Sequence, residues 1–404
     1  MRPVVVVGAY TPGLAVIRAL GSRGVPVVVA RYHKRDMGQA SKFVRELVDC
    51  PHPEAEEARF VAFLVRLAAR YPKAMLVPSS DQALAAVSSN AAALVRAGYV
   101  VAAPDARVAR VCLDKSDTYL LAECNGVPSP ATIAVAGVGD IERYAARAPF
   151  PAVLKPTISH RYYAVFGRKW TRVDGLAHAV AEYRQAHDAG LEVILQELIP
   201  GDELCGANYN AYFWAGEPLV EMTAAKIRNS PAETGSPCVA VSRDLPDVLG
   251  PGRDMLRALG YHGFANVEFK RDPRDGVYKI IEVNARHNLS AALAYHAGIN
   301  FPWLQYRHLV YGERPVQTPY QRGLYWIDIT RDLKEAPSYL RRDDYSLSRF
   351  LRPYLSPHVA AVWDSQDQGP ARVRAWDTVR TLAAAVPVPG AKSAREQLTP
   401  SKVR

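Results

Sequence analysis

The sequence predicts an α/β domain joined to an α+β domain. Residues 1–105 alternate apolar, strand-like runs with amphipathic, helix-like runs across short turns, the pattern of a doubly wound parallel sheet. From about residue 106 the runs become paired strands with helices set to one side, an antiparallel build. A chain of 404 residues exceeds one comfortable core and fits two or three domains.

Each element follows from its own pattern. RPVVVVGAY reads as a strand, TPGLAVIRALGSRG as a helix and VPVVVA as a strand; EARFVAFLVRLAARY repeats apolar residues at three and four. AMLVPSS and YVVAAP are further strands around a helix over DQALAAVSSNAAALVRAG. KSDTYLLAEC is a helix stopped by Asn125-Gly126, before a Pro-punctuated extended segment. FPAVLKP and GRKWTRV are strands, Asp174 is the expected cap of the helix through GLAHAVAEYRQAHDAG, and EVILQELIPGDE is a strand running into a turn. NAYFWAGEPLVEMTAAKI makes a hairpin about AGEP, DMLRALGYHG a helix, and ANVEFK and YKIIEVNAR two strands joined by RDPRDG. Around GLYWIDIT a strand is expected, and over RDDYSLSRFLRPYL a helix. The Pro-rich, basic tail is expected to be disordered.

Composition narrows the function. About half the residues are apolar, and no run is long enough to cross a bilayer. The VVVV run at 4–7 fits a first strand better than a signal peptide. Cys50, Cys112, Cys124, Cys205 and Cys238 are scattered and odd in number, which argues against disulfides or a zinc site and for a cytoplasmic address. The net charge of +10 favours anionic partners, but the basic residues are dispersed, so nucleic acid is not expected. The first turn, GAYTPG, lacks the three glycines of a dinucleotide site, and the second strand ends at Ala30-Arg31 without an acid for a ribose. Ser79, Ser80 and Asp81, opening a helix at a strand end, could touch a small substrate, although plain N-capping explains them better.

The chemistry gathers in YKIIEVNARHN. Alternation puts Glu282, Asn284 and Arg286 on one face of an otherwise apolar strand, and Asn266, Glu268 and Lys270 on one face of ANVEFK. A hairpin register that places Glu268 and Glu282 on the same face makes them diagonal neighbours, separated by roughly 7–8 Å. Two such carboxylates repel unless a cation lies between them, and Asn284 adds a third oxygen. The set suits Mg²⁺ or Mn²⁺, with a nucleoside triphosphate as the natural partner. Lys155 ends an apolar strand just before Pro156, Lys115 opens a helix where a cation is unfavourable without an anion nearby, and Lys226 and Arg228 share a strand face. As a set they form a polyphosphate cradle, and Arg286, Lys226 and Arg228 are the candidate catalytic cations.

The ordered series Lys115, FPAVLKP, QELIPGDE, NVEFK and IIEVNAR resembles the ATP-grasp superfamily over residues 106–310, and the preceding domain resembles its usual N-terminal partner. The resemblance implies that Lys115 and Lys155 contact ATP phosphates. Glu197 and the backbone at Leu198 and Ile199 would hold the adenine edge, and Glu203 the ribose. Glu268, Glu282 and Asn284 would bind the metal, and Arg286 the transferring phosphoryl group. Where many relatives have a Gly-rich loop, this chain has PTISHRYYAVFGRKW, so either Arg161, Arg168 or Lys169 would replace backbone amides or the segment is a more rigid lid. That departure looks like the D-aspartate ligase-like, carboxylate–amine ligase branch.

The expected division is 1–105 doubly wound domain, 106–190 small lobe, 191–310 large lobe with the metal site, 311–385 C-terminal extension and 386–404 tail. The expected activity is an ATP-dependent ligation of a carboxylate to an amine through an acyl phosphate, releasing ADP and phosphate. Asn288 would touch the carboxylate, while His287 reads as structural. Two other readings stay open: a non-catalytic nucleotide-binding or regulatory protein, and a ligase with a non-amine acceptor. Small-molecule acid and amine substrates are the expected partners, a homodimer is the default assembly, and the basic tail offers weak contact to an acidic membrane.

Overall fold

The computed structural model describes residues 1–232 and 235–385. The expected disordered tail lies outside the described residues.

The N-terminal domain is β1 (Val4–Val7), α1 (Thr11–Gly21), β2 (Val27–Arg31), β3 (Val44–Asp49), α2 (Glu57–Arg70), β4 (Met75–Pro78), α3 (Asp81–Ser89), α4 (Ala91–Arg96) and β5 (Val100–Val101). Its strands are all parallel in the order β3-β2-β1-β4-β5, as alternation predicts. Val4–Val7 are wholly buried because helices cover both faces of a parallel sheet. Two expectations are corrected. Asn90 ends α3 and starts α4, so the helix expected over 81–98 is two. Edge strand VRELVD, half polar, was not anticipated.

α5 (Ala106–Leu113) and α6 (Lys115–Cys124) lead to the small lobe. It comprises β6 (Thr132–Val135), α7 (Val138–Ala145), β7 (Ala152–Pro156), α8 (Ser159–Phe166), β8 (Thr171–Val173), α9 (Leu176–Asp188) and β9 (Val193–Glu197). These strands form an antiparallel sheet in the order β6-β9-β7-β8. Gly175, not Asp174, occupies the N-cap of α9; the Asp174 carboxylate pairs with Arg172 instead.

The large lobe holds β10 (Gly206–Trp214), β11 (Glu217–Ser230), β12 (Ser236–Ser242), α10 (Leu249–Leu259), β13 (Gly263–Arg271), β14 (Tyr278–Asn284), α11 (Ala291–His296) and α12 (Phe301–Tyr311). The chain continues through β15 (Tyr325–Ile327), α13 (Ile329–Leu340), α14 (Leu347–Leu355), β16 (His358–Ala360) and α15 (Gly369–Ala385). The large sheet runs β14-β13-β10-β11-β12-β15-β16, so strands from beyond residue 311 complete it. The chain then returns to the first domain. Asp367, buried, accepts from Arg18 Nε at 2.9 Å, Ser41 Oγ at 2.7 Å and the Lys42 amide at 2.8 Å. Three segments distant in sequence are thereby fixed to one carboxylate, and each donor offsets part of the cost of burying it.

Candidate active site

One face of the large sheet is polar where it meets the small lobe. Asn208 on β10 is opposite Glu268 on β13, and Glu268 is directly opposite Glu282 on β14, with Asn266 opposite Asn284. The two carboxylates are therefore cross-strand partners, closer than the diagonal arrangement expected. The register breaks immediately after Glu268, where Ile281 is the extra residue between Glu282 and Ile280. A bulge there re-aims the strand beside the acids, and Tyr119 Oη donates to the Ile281 carbonyl at 2.6 Å to hold it.

Asn284 uses its amide nitrogen on Glu268 Oε1 at 3.1 Å and on Asn266 Oδ1 at 3.2 Å, which leaves its carbonyl oxygen as the available ligand atom. Glu268 is paired with the Lys226 ammonium. Burial raises the Glu268 carboxyl, but Lys226, by charge and hydrogen bond, outweighs it with help from Lys169 and Arg286, so the group stays below its ordinary range. Among the described residues no group of three or more His, Cys, Asp and Glu is placed to hold a metal unaided. Two carboxylates and an amide oxygen nevertheless fit a hard cation that takes its remaining ligands from phosphate and water.

These groups line a cleft of about 780 Å³ between the lobes and the first domain. Lys115, Lys155, Glu197, Leu198, Ile199, Glu203, Lys226, Asn288, Asp81 and Arg286 all reach it. Its cationic character is strained. Desolvation, then the Lys115 charge, pushes the Lys155 ammonium down to about 7 against the opposing pull of Glu282, with Lys155 Nζ donating to Gln196 Oε1 at 2.6 Å. Burial lowers Lys169 and Lys270 as well. Clustered ammonium groups with depressed protonation mark a place that an anion would stabilise.

Other expectations are revised. Glu197's carboxylate is engaged by Arg274, by Lys279 Nζ at 3.6 Å and by the Ala131 amide at 3.2 Å, so the cleft receives mainly the strand edge there. Glu203 is buried, with Oε1 accepting from Arg342 Nη1 at 3.1 Å. Ser80 is an N-cap after all: its Oγ accepts the Ala83 amide at 3.1 Å and shares a 2.6 Å hydrogen bond with Tyr32, outside the cleft lining. Asp81 instead accepts from Arg286 Nε at 2.6 Å. His287 is buried against Phe264, and burial pushes its imidazole down to about 3, which fits the structural reading.

Arg228 is not in the cleft. It is wholly buried and forms a bidentate pair with Asp332, Nε–Oδ1 2.6 Å and Nη2–Oδ2 2.7 Å, beneath the ring of Phe350. The pairing of β11 with β12 slips between Lys226 and Arg228, so period-two alternation fails there and the two cations part. In the Gly-poor segment, Lys169 and Arg161 line the cleft, whereas Arg168 pairs with Glu182. Gln196 and Asn229 also line it and were not singled out in the sequence; a glutamine in the apolar run VILQE was the available signal for the first.

In the first domain, Gly8, with φ of +85°, turns the chain after β1, and the buried Asp36 accepts the Ala9 amide at 2.9 Å. A carboxylate thus occupies the turn where a dinucleotide fold would present amides to a pyrophosphate.

Comparison with known proteins agrees with this geometry. Residues 247–305 match the family described as the carbamoyl-phosphate synthase L chain, ATP binding domain. The chain is 29% identical over 191 residues to a D-aspartate ligase of Enterococcus faecium (strain Aus0004), a match covering 42% of this chain and 42% of that ligase. It is similar in structure to an L-amino acid ligase from Bacillus licheniformis, with TM-score 0.61 and 18% identity, covering 77% of this chain and 74% of that one. It is also similar to a biotin carboxylase–β,γ-ATP complex from Campylobacter jejuni, with TM-score 0.63 and 15% identity over 80% of this chain and 74% of that one. These likenesses give the chain the two-lobed fold shared with those ligases and carboxylases, the family match itself being confined to residues 247–305.

Proposed function

We propose that this chain is an ATP-dependent carboxylate–amine ligase. The observation that carries the reading is the convergence of Glu268, Glu282 and Asn284 with the desolvated Lys155 and Lys169 in one cleft. Lys115 and Lys155 bind the phosphates, the strand edge at Glu197–Ile199 the adenine, and Glu203, with Oε1 held by Arg342, offers its other oxygen to the ribose. Glu268, Glu282 and the Asn284 carbonyl would hold Mg²⁺ or Mn²⁺, which when bound neutralises phosphate oxygens and aligns them.

A substrate carboxylate oxygen attacks the γ-phosphorus, and ADP leaves as the β,γ-bridging bond breaks. Arg286, oriented by Asp81, faces the equatorial phosphoryl oxygens as their charge redistributes. The amine nitrogen then attacks the acyl carbon, phosphate leaves, and the nitrogen's surplus proton passes to solvent. Activation is needed because a carboxylate at neutral pH is a poor acyl donor. The D-aspartate ligase and L-amino acid ligase named above support an amine acceptor.

The test is ADP release with Mg²⁺ across pools of acids and amines. Stimulation by a matched acid and amine, abolished in Glu282→Gln, is the expected result. If no pool stimulates ADP formation and Glu282→Gln leaves ATP affinity unchanged, the reading fails and a non-catalytic role stands in its place.

A further inference from the structure

We infer that helices α13 and α14 form a docking surface for an anionic lipid bilayer. Both helices bury one face in the large lobe, through Asp332, Glu335 and Tyr339 on α13 and Phe350 and Pro353 on α14. Both also leave an aliphatic stripe in solvent. On α13 it is Ile329, Leu333 and Leu340; on α14 it is Leu347, Leu351 and Leu355, the last 83% exposed. Spacings of four and seven on α13, and of four and four on α14, place each set on one side of its helix, about 110–130° from the centre of the buried face at roughly 100° per residue. Single exposed leucines need no explanation, but two successive helices with matched stripes do.

Charge identifies the occupant. Lys334 and Arg341 on one side and Arg352 on the other helix follow their stripes on the edge away from the buried face, all exposed, and none forms an ion pair among the described residues. The acids of these helices, Asp332 and Glu335, point inward. Arg331 and Arg342 also turn inward, to the Ser230 and Ser236 carbonyls and to Glu203. Between the helices Asp344 pairs with Arg349 at 3.5 Å, leaving Asp343 as the exposed counter-charge. An aliphatic strip edged by Lys and Arg is the pattern of an interfacial helix, with leucines in the acyl boundary and cations among acidic headgroups.

A second copy fits less well, because a face-to-face pair would set these cations against each other. Residues 386–404 fit less well too: they carry Lys392, Arg395, Lys402 and Arg404 against Glu396, so they add to attraction for lipid. No described helix is long and apolar enough to cross a membrane, so the contact lies in the interface.

The test uses the full chain with sedimenting vesicles of phosphatidylcholine, with and without phosphatidylglycerol. The chain is expected on the anionic vesicles, weakly on the neutral ones, and released by high salt. The triple variant Leu347→Ser, Leu351→Ser, Leu355→Ser should lose at least about tenfold in partitioning with unaltered melting and ADP formation. Should it melt early, Leu355→Ser alone, at the outermost position, must still reduce partitioning. Failure of the wild-type chain to bind, or equal binding by the variants, overturns the proposal. So does a concentration-dependent dimer that the triple variant dissolves without any vesicle binding, which would assign the stripes to a second copy.

Discussion

Arg286 Nε donates to Asp81 Oδ1 at 2.6 Å, joining the turn two residues past β14 to the first turn of α3 in the N-terminal domain. This ion pair is one of the links by which the first domain reaches the cleft, and in the proposed reaction its part is to position Arg286. Asp81→Asn keeps a hydrogen-bonding group and removes the charge. A hydrogen bond to a charged group is worth about 1.5–3 kcal/mol, so kcat is expected to fall about 10–100-fold. ATP affinity, measured by equilibrium binding, should stay within about twofold, and an equal loss of affinity would place Asp81 in nucleotide binding instead.

With Lys155 on the phosphates as proposed, ATP binding is expected to depend on pH. Its ammonium lies at about 7 in the free protein, and bound phosphates must raise it, because an anion favours the charged form. Below about pH 7 the group is charged in both states and contributes no slope. Above it, binding requires proton uptake, so the ATP dissociation constant should rise by up to about tenfold per pH unit until the bound-state value is reached. Lys155→Met should bind weakly with no such slope. Calorimetry in buffers of different ionisation enthalpy measures the uptake, and a wild-type affinity flat from about pH 7 to about pH 9 would remove Lys155 from the phosphate site.

Arg228 should behave as a structural residue. Breaking a buried pair by removing one partner costs about 3–5 kcal/mol, so Arg228→Met is expected to lower the melting temperature strongly. Adding Asp332→Leu should recover part of that loss, since the second substitution removes the stranded carboxylate. ATP affinity at low temperature should remain near wild type. A protein that melts normally yet forms no ADP would return Arg228 to the catalytic set.

Lys169 tests how the Gly-poor segment serves the cleft. Its Nζ donates to Ser236 Oγ at 2.9 Å, spanning from the small lobe to the start of β12. Lys169→Met is expected to raise the KM for ATP about tenfold, and Lys169→Arg to restore most of it. A KM unmoved by Lys169→Met would show that the segment's cation is not used on ATP.

Much of this was legible in the sequence because alternation survives burial: Glu282 and Asn284 against Val283 announce a polar face, although Ile280, on that face by strict alternation, is turned to the core by the bulge at Ile281. Alternation fails at bulges, which depend on partner strands. One bulge carried Arg228 away from Lys226, and another brought Glu268 opposite Glu282. Elements without a clean period escaped notice: β12 is an almost wholly buried SPCVAVS, and α8, SHRYYAVF, mixes its faces. The roles of Asp81 and Arg342 depend on contacts across 205 and 139 residues, which no local pattern encodes.

The most direct test of the central claim is trapping of the acyl phosphate. Hydroxylamine replaces the amine in reactions containing ATP, Mg²⁺ and pooled carboxylic acids, and hydroxamate and ADP are measured together. The account predicts equal amounts of both with a matching acid, and neither with Glu282→Gln. ADP formed with a stimulating acid but without hydroxamate would contradict it, because the carboxylate would then not be the group phosphorylated.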